Sequence, residues 1–468
     1  MKLQKSSLIV LWLAFLPAIV ADAAAPIAPP VNEKAAIDWL RSNAVTFADT
    51  SPTPDEFRPL IDKLGKARII GIGEATHGDH QDQTFKAELI KALIVAGRID
   101  TVALECSRQA GADFDAYARS GEGDLAALIR SKRFFRTWQD DEMAGLILWI
   151  RAWNVTAASP VRIIGIDNQD ANRDIAVALD FVRARDPALA TMLNAGVEPM
   201  LGDKALALGF YKWVVATPQP SFDIATSGVQ AVISAFESHR AAWYNVPGYT
   251  DAAYAARLAA QGLKQFDREA GNPDIDQAKL PAEYNNRRDV FMAANLIERS
   301  AGGHPTALWA HDLHTVPDID PVQKASGWLT MGSELRRQLG SDYASIGFAW
   351  TEGSFNARSV AGYTETAMRN IDWTPQTLPN NRPQDLGSTF NATGLPRFWI
   401  DLRTIPTAIM PWATTPKFRG WAGARVNPAD WQTTDDNKLA LVPGFDLLVY
   451  FHTITPSHMW KKLPPDKP

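Results

Sequence analysis

Four short apolar runs in this 468-residue chain each end in ionisable side chains. Arg68–Gly73 leads into Glu74 and His77, Thr101–Leu104 into Glu105, Val161–Ile166 into Asp167, and Thr306–Ala310 into His311 and His314. Apolar, β-branched runs of this length read as strands covered on both faces. In an open α/β sheet, ligands bind in the crevice beyond the carboxyl ends of the strands. If the four strands are parallel and in register, their carboxylates and imidazoles converge there. Any one of these residues could merely cap a following helix or turn. Burying them together is costly unless they pair or bind something, so the convergence points to a site.

The chemistry open to such a set is narrow. No G-x-S-x-G elbow is present, which disfavours a serine esterase of the common α/β-hydrolase kind. No H-E-x-x-H zinc helix is present either. Cys106 alternates with Glu105 along its strand and is read as core. What remains is imidazole and carboxylate without a nucleophile, a set suited to activating water. His77 is the candidate base, oriented by Glu105 or Glu74, with His311 or His314 stabilising the developing oxyanion. The same groups could instead hold zinc or iron in a metal-dependent hydrolase. A non-catalytic binder of haem, metal or an envelope glycan is a third reading. Asp167, Lys86 and Arg288 are assigned to the substrate, with a solvated Lys86 and a helix-surface ion pair for Arg288 as plainer alternatives. His80 reads as a solvated helix-start residue and His304 as a surface loop residue, while His239, His452 and His458 have no partner in pattern.

Positioning these groups requires a scaffold. Helices are expected over 37–47 and 52–64. Phe85, Leu89, Ala92 and Leu93 recur at helical spacing before Gly97, placing a helix between the first two strands. Strand, helix and strand in about thirty residues make a βαβ unit with parallel strands. Asp140 and Asp141 start another helix with Met143, Leu146, Ile147 and Ile150 on one face. Residues 174–296 are mostly helical in pattern and read as an insertion or cap. Strands follow at 343–350, 398–402 and 446–451, separated by a Pro-, Asn-, Gly- and Trp-rich region over 364–443 of the sort that covers a site. The expected fold class is α/β, a mostly parallel sheet flanked by helices with a large helical insertion.

Composition is that of a globular protein, 46% hydrophobic and 21% charged. Lys2 and Lys5, an apolar run from Leu8 to Val20 and small residues at Ala21, Ala23, Ala24 and Ala25 read as a secretory signal peptide over residues 1–23, leaving 24–468 as the mature domain in the periplasm or medium. That run is short for a membrane span, so no stable membrane insertion is expected after cleavage. Cleavage would take the net charge from −5 to −6, which does not suit nucleic acid. Cys106 is the sole cysteine, so no intramolecular disulfide is possible. Nine of the sixteen tryptophans lie at or beyond Trp309, and some could line a cleft for a bulky apolar or sugar-bearing ligand.

GEATHG, a Glu closing the next strand, the GID turn, YNNRRDVFMAANL, the H-D-L-H pair and GFAWTEGSFNA together resemble the erythromycin esterase family over roughly residues 35–455. The resemblance implies an α/β core with a helical cap and opening of a macrolide lactone or related small-molecule ester by activated water, without a metal or other cofactor. By motif, His77 matches the family's catalytic base, Glu74 its neighbour, Glu105 the Glu closing strand two, and His311 and His314 the paired histidines. Macrolide-resistance members carry an arginine where this chain has Lys86, which loses bidentate carboxylate pairing and bears on the substrate.

Overall fold

In the computed structural model, residues 32–461 are described, apart from 49–50, 132, 203–204, 207–208, 266–281, 320–326, 361–370, 379–384, 430 and 432–437. The signal-peptide segment therefore lies outside the described residues. The core is an eight-stranded sheet of β1 (Val45–Thr46), β2 (Ile69–Ile72), β3 (Thr101–Ser107), β4 (Arg162–Asp167), β5 (Thr306–Trp309), β6 (Tyr343–Gly353), β7 (Arg397–Asp401) and β8 (Leu447–Ile454). Their spatial order is β1-β7-β8-β6-β2-β5-β3-β4. From β8 to β4 every pairing is parallel, and β7 and β1 add an antiparallel edge.

Alternation along the strands explains why so few polar residues occur in them. Ile70 and Ile72 face a cluster with Phe85 and Leu89 of the helix His80–Val95 and Met143 and Ile147 of the helix Asp141–Thr156. Ile69, Ala103, Ile164 and Leu308 face the opposite layer, Met292 and Leu296 of the helix Ala282–Arg299 and Leu335 of Met331–Leu339. Both faces are covered, so the strands read as continuous apolar runs.

Several boundaries differ from the sequence reading. The first helix is Glu33–Asn43, capped by Asn32, and the chain then extends into β1 where helix was expected. The second, Pro54–Lys63, is fixed by a Thr53/Glu56 capping box. β3 runs three residues further than the apolar run, because a bulge between Leu104 and Ser107 carries Glu105 and Cys106 at its end.

Helices fill most of residues 171–299, from Ala171–Arg183 to Ala282–Arg299. Those before the last share their own apolar cluster, including Ile175, Leu179, Val197, Val229 and Phe236. Gly196 and Gly228 let two of them touch: a Cβ on Gly228 would lie 2.2 Å from the Gly196 carbonyl oxygen. Arg108, the residue after β3, ties this layer to the core through Asp174 at 2.7 Å and Asp251 at 3.0 Å.

Candidate active site

The turn after β2 is held from three sides. Asp79 caps the helix His80–Val95 by accepting from Asp82 N at 2.6 Å, and Asp82 reaches back to accept from Ala75 N at 2.8 Å. Gln83 donates to the His77 carbonyl. The glycines flanking the turn are there for room. A Cβ on Gly73 would fall 1.8 Å from Asp312 Oδ1, and one on Gly78 1.9 Å from the Asn356 carbonyl. Asn356 N in turn donates to Gly78 O at 2.9 Å, and its side chain to Ser457 O at 2.8 Å.

Glu74 is fully buried at the centre of this turn. Its Oε1 accepts from His77 Nδ1 at 2.5 Å and Trp138 Nε1 at 3.1 Å, and its Oε2 accepts from Lys86 Nζ at 2.5 Å. With Nδ1 committed to Glu74, His77 presents Nε2 as a lone-pair acceptor. Among the described residues none hydrogen-bonds it. This is a carboxylate-held imidazole, the arrangement that fixes the tautomer of a general base. Buried Asp79, Asp82 and Asp140 lie behind it, each with its carboxyl pushed up by burial and then by neighbouring acids; Asp82 rises to about 8.

A second network sits across the ends of β3 and β4. Glu105 Oε1 accepts from Arg288 Nη2 at 2.7 Å and lies 3.2 Å from His314 Nε2, and its Oε2 accepts from His311 N at 3.1 Å. Arg288 also donates through Nε and Nη2 to Asp167 Oδ2, at 3.1 and 2.7 Å. Burial would raise the Glu105 carboxyl, but His314 and Arg288 overcome it and hold it well below the usual range. His314 is held at its other nitrogen by Asp289 at 2.8 Å. Burial opposes its charge, yet Asp289 and Glu105 prevail and raise its pKa to about 10, making it an imidazolium at neutral pH.

His311 is the opposite case. Burial first, then His77 and His314, push its pKa well below normal and keep it neutral. Leu313 N donates to its Nδ1 at 3.2 Å, so the proton sits on Nε2, which donates to Ala422 O at 3.1 Å. Trp421 stacks on it at 5.6 Å, and the His77 and His311 rings are 4.6 Å apart. An open groove of about 590 Å³ lies nearby, lined by Arg136, Asn356, Asp372, Trp373 and the segment from Pro456 to Lys461. Its volume suits a small-molecule cleft of roughly 300–1,000 Å³. His77 does not line it directly; Trp373, whose ring is 6.5 Å from that of His77, connects the two.

The erythromycin esterase family profile matches residues 98–454. The chain belongs to the erythromycin esterase family. It is 18% identical to an erythromycin esterase type II of Escherichia coli over 342 residues, 70% of this chain and 79% of that protein. Among solved structures it resembles a Bacillus cereus protein (TM-score 0.78, 20% identity, 92% of this chain and all of that one) and a succinoglycan biosynthesis protein (0.74, 18%, 92% and 99%). It also resembles a histidine mutant of the erythromycin esterase EreC in its open conformation (0.64, 14%, 90% and 99%). These structures share the fold.

Within this family fold, Glu74, His77, Glu105, Asp167, Arg288, His311 and His314 come together, and of the two carboxylates expected as partners of His77 one serves it. Glu74 alone holds His77, whereas Glu105 serves Arg288, His314 and the His311 backbone. Lys86 is neither solvated nor placed to touch a substrate: it is fully buried, bonded to Glu74 and to Ala310 O, with Trp309 4.3 Å beneath it. Asp167 is likewise fully buried, with Oδ2 taken by Arg288 and Oδ1 by Asn168 N, so it orients the arginine and cannot contact a ligand. Arg288 is a junction between two carboxylates, not a helix-surface ion pair. Both His311 nitrogens are occupied, which removes its ring from oxyanion binding.

Sequence reasoning missed Asp289, Trp138, Trp373, Trp421 and the backbone of Ala422. Asp289 had a signal, since it adjoins Arg288 on a helix that leads into β5. The aromatic residues had none beyond the abundance of tryptophan, because they arrive from loops. His80, read as solvated, bonds Glu142 at 2.6 Å. His458 and His452 also have acidic partners, in Glu142 and Glu352.

Proposed function

We propose that this protein is an exported esterase that opens a carboxylic ester or macrolide-type lactone with water activated by His77. The observation that carries the reading is the 2.5 Å bond from His77 Nδ1 to the buried Glu74, which leaves Nε2 to accept a proton. In this scheme Nε2 takes a proton from water as the oxygen attacks the acyl carbon. The tetrahedral oxyanion forms beside Arg288, whose side chain is 19% exposed and thus within reach of the crevice, while His314, with Nδ1 on Asp289 and Nε2 facing Glu105, holds the Glu105 carboxylate in place. Collapse breaks the acyl–oxygen bond, and His77 returns its proton to the departing alkoxide. General-base help of this kind is typically worth about 10²–10⁴ in rate.

Glu105, Asp167 and Asp289 act behind the cations, and His311 packs beside the base. Family membership supports the ester-hydrolase class, and the groove beside Trp373 supports a bulky substrate. The charged start and apolar run of residues 1–23 support export to the periplasm or medium, and the separate apolar cluster of the helical insertion supports its reading as a cap.

The test is hydrolysis of a macrolide and ester panel by the mature protein, followed by mass. Gain of one water by a substrate, abolished in His77→Ala with the fold intact, is the expected result. Undiminished turnover in that variant would overturn the assignment.

A further inference from the structure

A second cluster of ligating side chains lies outside the site just described. His80 begins the helix His80–Val95, Glu142 is in the first turn of Asp141–Thr156, and His458 comes from the segment after β8. One ligand atom from each falls within 4.8 Å of the others. His80 Nδ1 is 2.6 Å and His458 Nδ1 3.2 Å from the same Glu142 Oε1, and the two rings are 4.7 Å apart. We propose that His80, Glu142 and His458 form a binding site for a divalent transition-metal ion of the zinc class, clamping the C-terminal segment to the helix that follows the catalytic turn.

Two things support a metal over a plain hydrogen-bonded trio. First, the donor set, two imidazoles and one carboxylate, is that of zinc sites that keep a position open. Two ligand atoms about 2.05 Å from a tetrahedral ion sit about 3.3 Å apart. The His458–Glu142 spacing already matches that edge, and the His80–Glu142 spacing needs to open by less than about 1 Å, a rotamer adjustment at a side chain that is 26% exposed.

Second, backbone bonds deliver His458 to this place independently of its ring. His80 N donates to Thr455 O at 2.7 Å, Ser457 N to Gly78 O at 2.8 Å, and Asp141 N to His458 O at 3.2 Å. His458 N itself lies 3.2 Å from both Glu142 oxygens. Glu142 is buried and fixed, while His458 is 61% exposed and lines the open groove, leaving room for water at a fourth position. The groove lining also carries Arg136 and Asp372, which pair with each other at 3.7 Å.

The experiment is calorimetric titration of the chelator-treated, full-length mature protein with zinc chloride, with thermal melts in parallel. One zinc per chain and a raised melting temperature are expected. His80→Ala and His458→Ala should weaken binding by more than the roughly 10–100-fold that loss of an outer-shell partner costs, and should abolish the thermal shift. Because His458 is mostly exposed, its variant does not disturb the core. His77→Ala should bind zinc as the wild type does, which separates this site from any metal at the catalytic histidines. Failure of the wild type to bind zinc stoichiometrically would overturn the proposal. So would binding that survives in both ligand variants, or that is lost in His77→Ala.

Discussion

Replacing Glu74 by Gln separates the two duties of that carboxylate. Glu74 holds the Nδ1 proton of His77 and neutralises Lys86, both at 2.5 Å and both out of water. Breaking a buried ion pair from one side costs about 3–5 kcal/mol, since the other charge is left uncompensated. Lys86 would keep Ala310 O at 3.1 Å and the Trp309 ring at 4.3 Å, which places Glu74→Gln near the lower end, about 3 kcal/mol. Against a typical total stability of about 5–15 kcal/mol the variant should still fold. Removing both charges, in Glu74→Gln combined with Lys86→Met, should recover most of that loss, because an apolar replacement of a whole buried pair is close to neutral. Catalysis should behave differently. An amide at position 74 offers His77 the wrong hydrogen-bonding partner on one of its two faces, and the comparable Asp→Asn change in a serine protease triad lowers kcat about 10⁴-fold. We expect kcat to fall by about 10²–10⁴ in Glu74→Gln, equivalent to about 3–5 kcal/mol of barrier, with KM little changed. The double variant should be just as slow. Urea midpoints and steady-state kinetics on the three proteins decide the matter. Turnover within tenfold of wild type in Glu74→Gln, or activity that returns together with stability in the double variant, would refute the orienting role of Glu74.

Other outcomes follow from the same geometry. Gly73→Ala should be severely destabilising, because its Cβ would sit 1.8 Å from Asp312 Oδ1, and Asp312 is pinned by Arg419 at 2.6 Å and by Phe348 N at 3.1 Å; the thermal midpoint reports it. Arg288→Met leaves Glu105 and Asp167 facing each other without their shared cation, so a loss of about 3–5 kcal/mol is expected in urea unfolding. The folded pKa of His314 is about 10, above its unfolded value of 6.5, so its contribution to stability is complete below pH 6.5 and disappears as pH rises through 10. The stability gap between wild type and His314→Gln should therefore narrow between those limits. A gap that widens toward pH 10 would contradict the imidazolium. His311 has the reverse sign: its pKa is depressed, so protonating the unfolded chain erodes stability as pH falls below about 6.5, an effect that His311→Gln should lack.

Local sequence was enough to identify the strands that carry the site, and the reason is physical. A strand buried on both faces must be apolar throughout, so the first polar residues after it mark its carboxyl end; Glu74, Glu105, Asp167 and His311 all stand out in this way. The helices beside them were legible from 3.6-residue periodicity, from the Gly97 stop of the first and from Asp140 at the start of the second. Pairing was not legible, because it depends on strand order. The fourth of these strands in the chain, β5, inserts between the first and the second, with Ile72 and Leu104 both paired to Trp309. That insertion sets His311 between the two acidic strand ends and brings Glu105 to its backbone. The burial of Lys86 was equally hidden, since one lysine in an amphipathic helix reads as solvated until the sheet closes over it. The same holds for Trp138, Trp373 and Trp421, which enter from loops without periodicity, and for His458, which meets His80 and Glu142 across more than three hundred residues of chain. Residue types and local periodicity therefore determined which groups stand at the strand ends, whereas strand order and loop return decided which carboxylate holds which base.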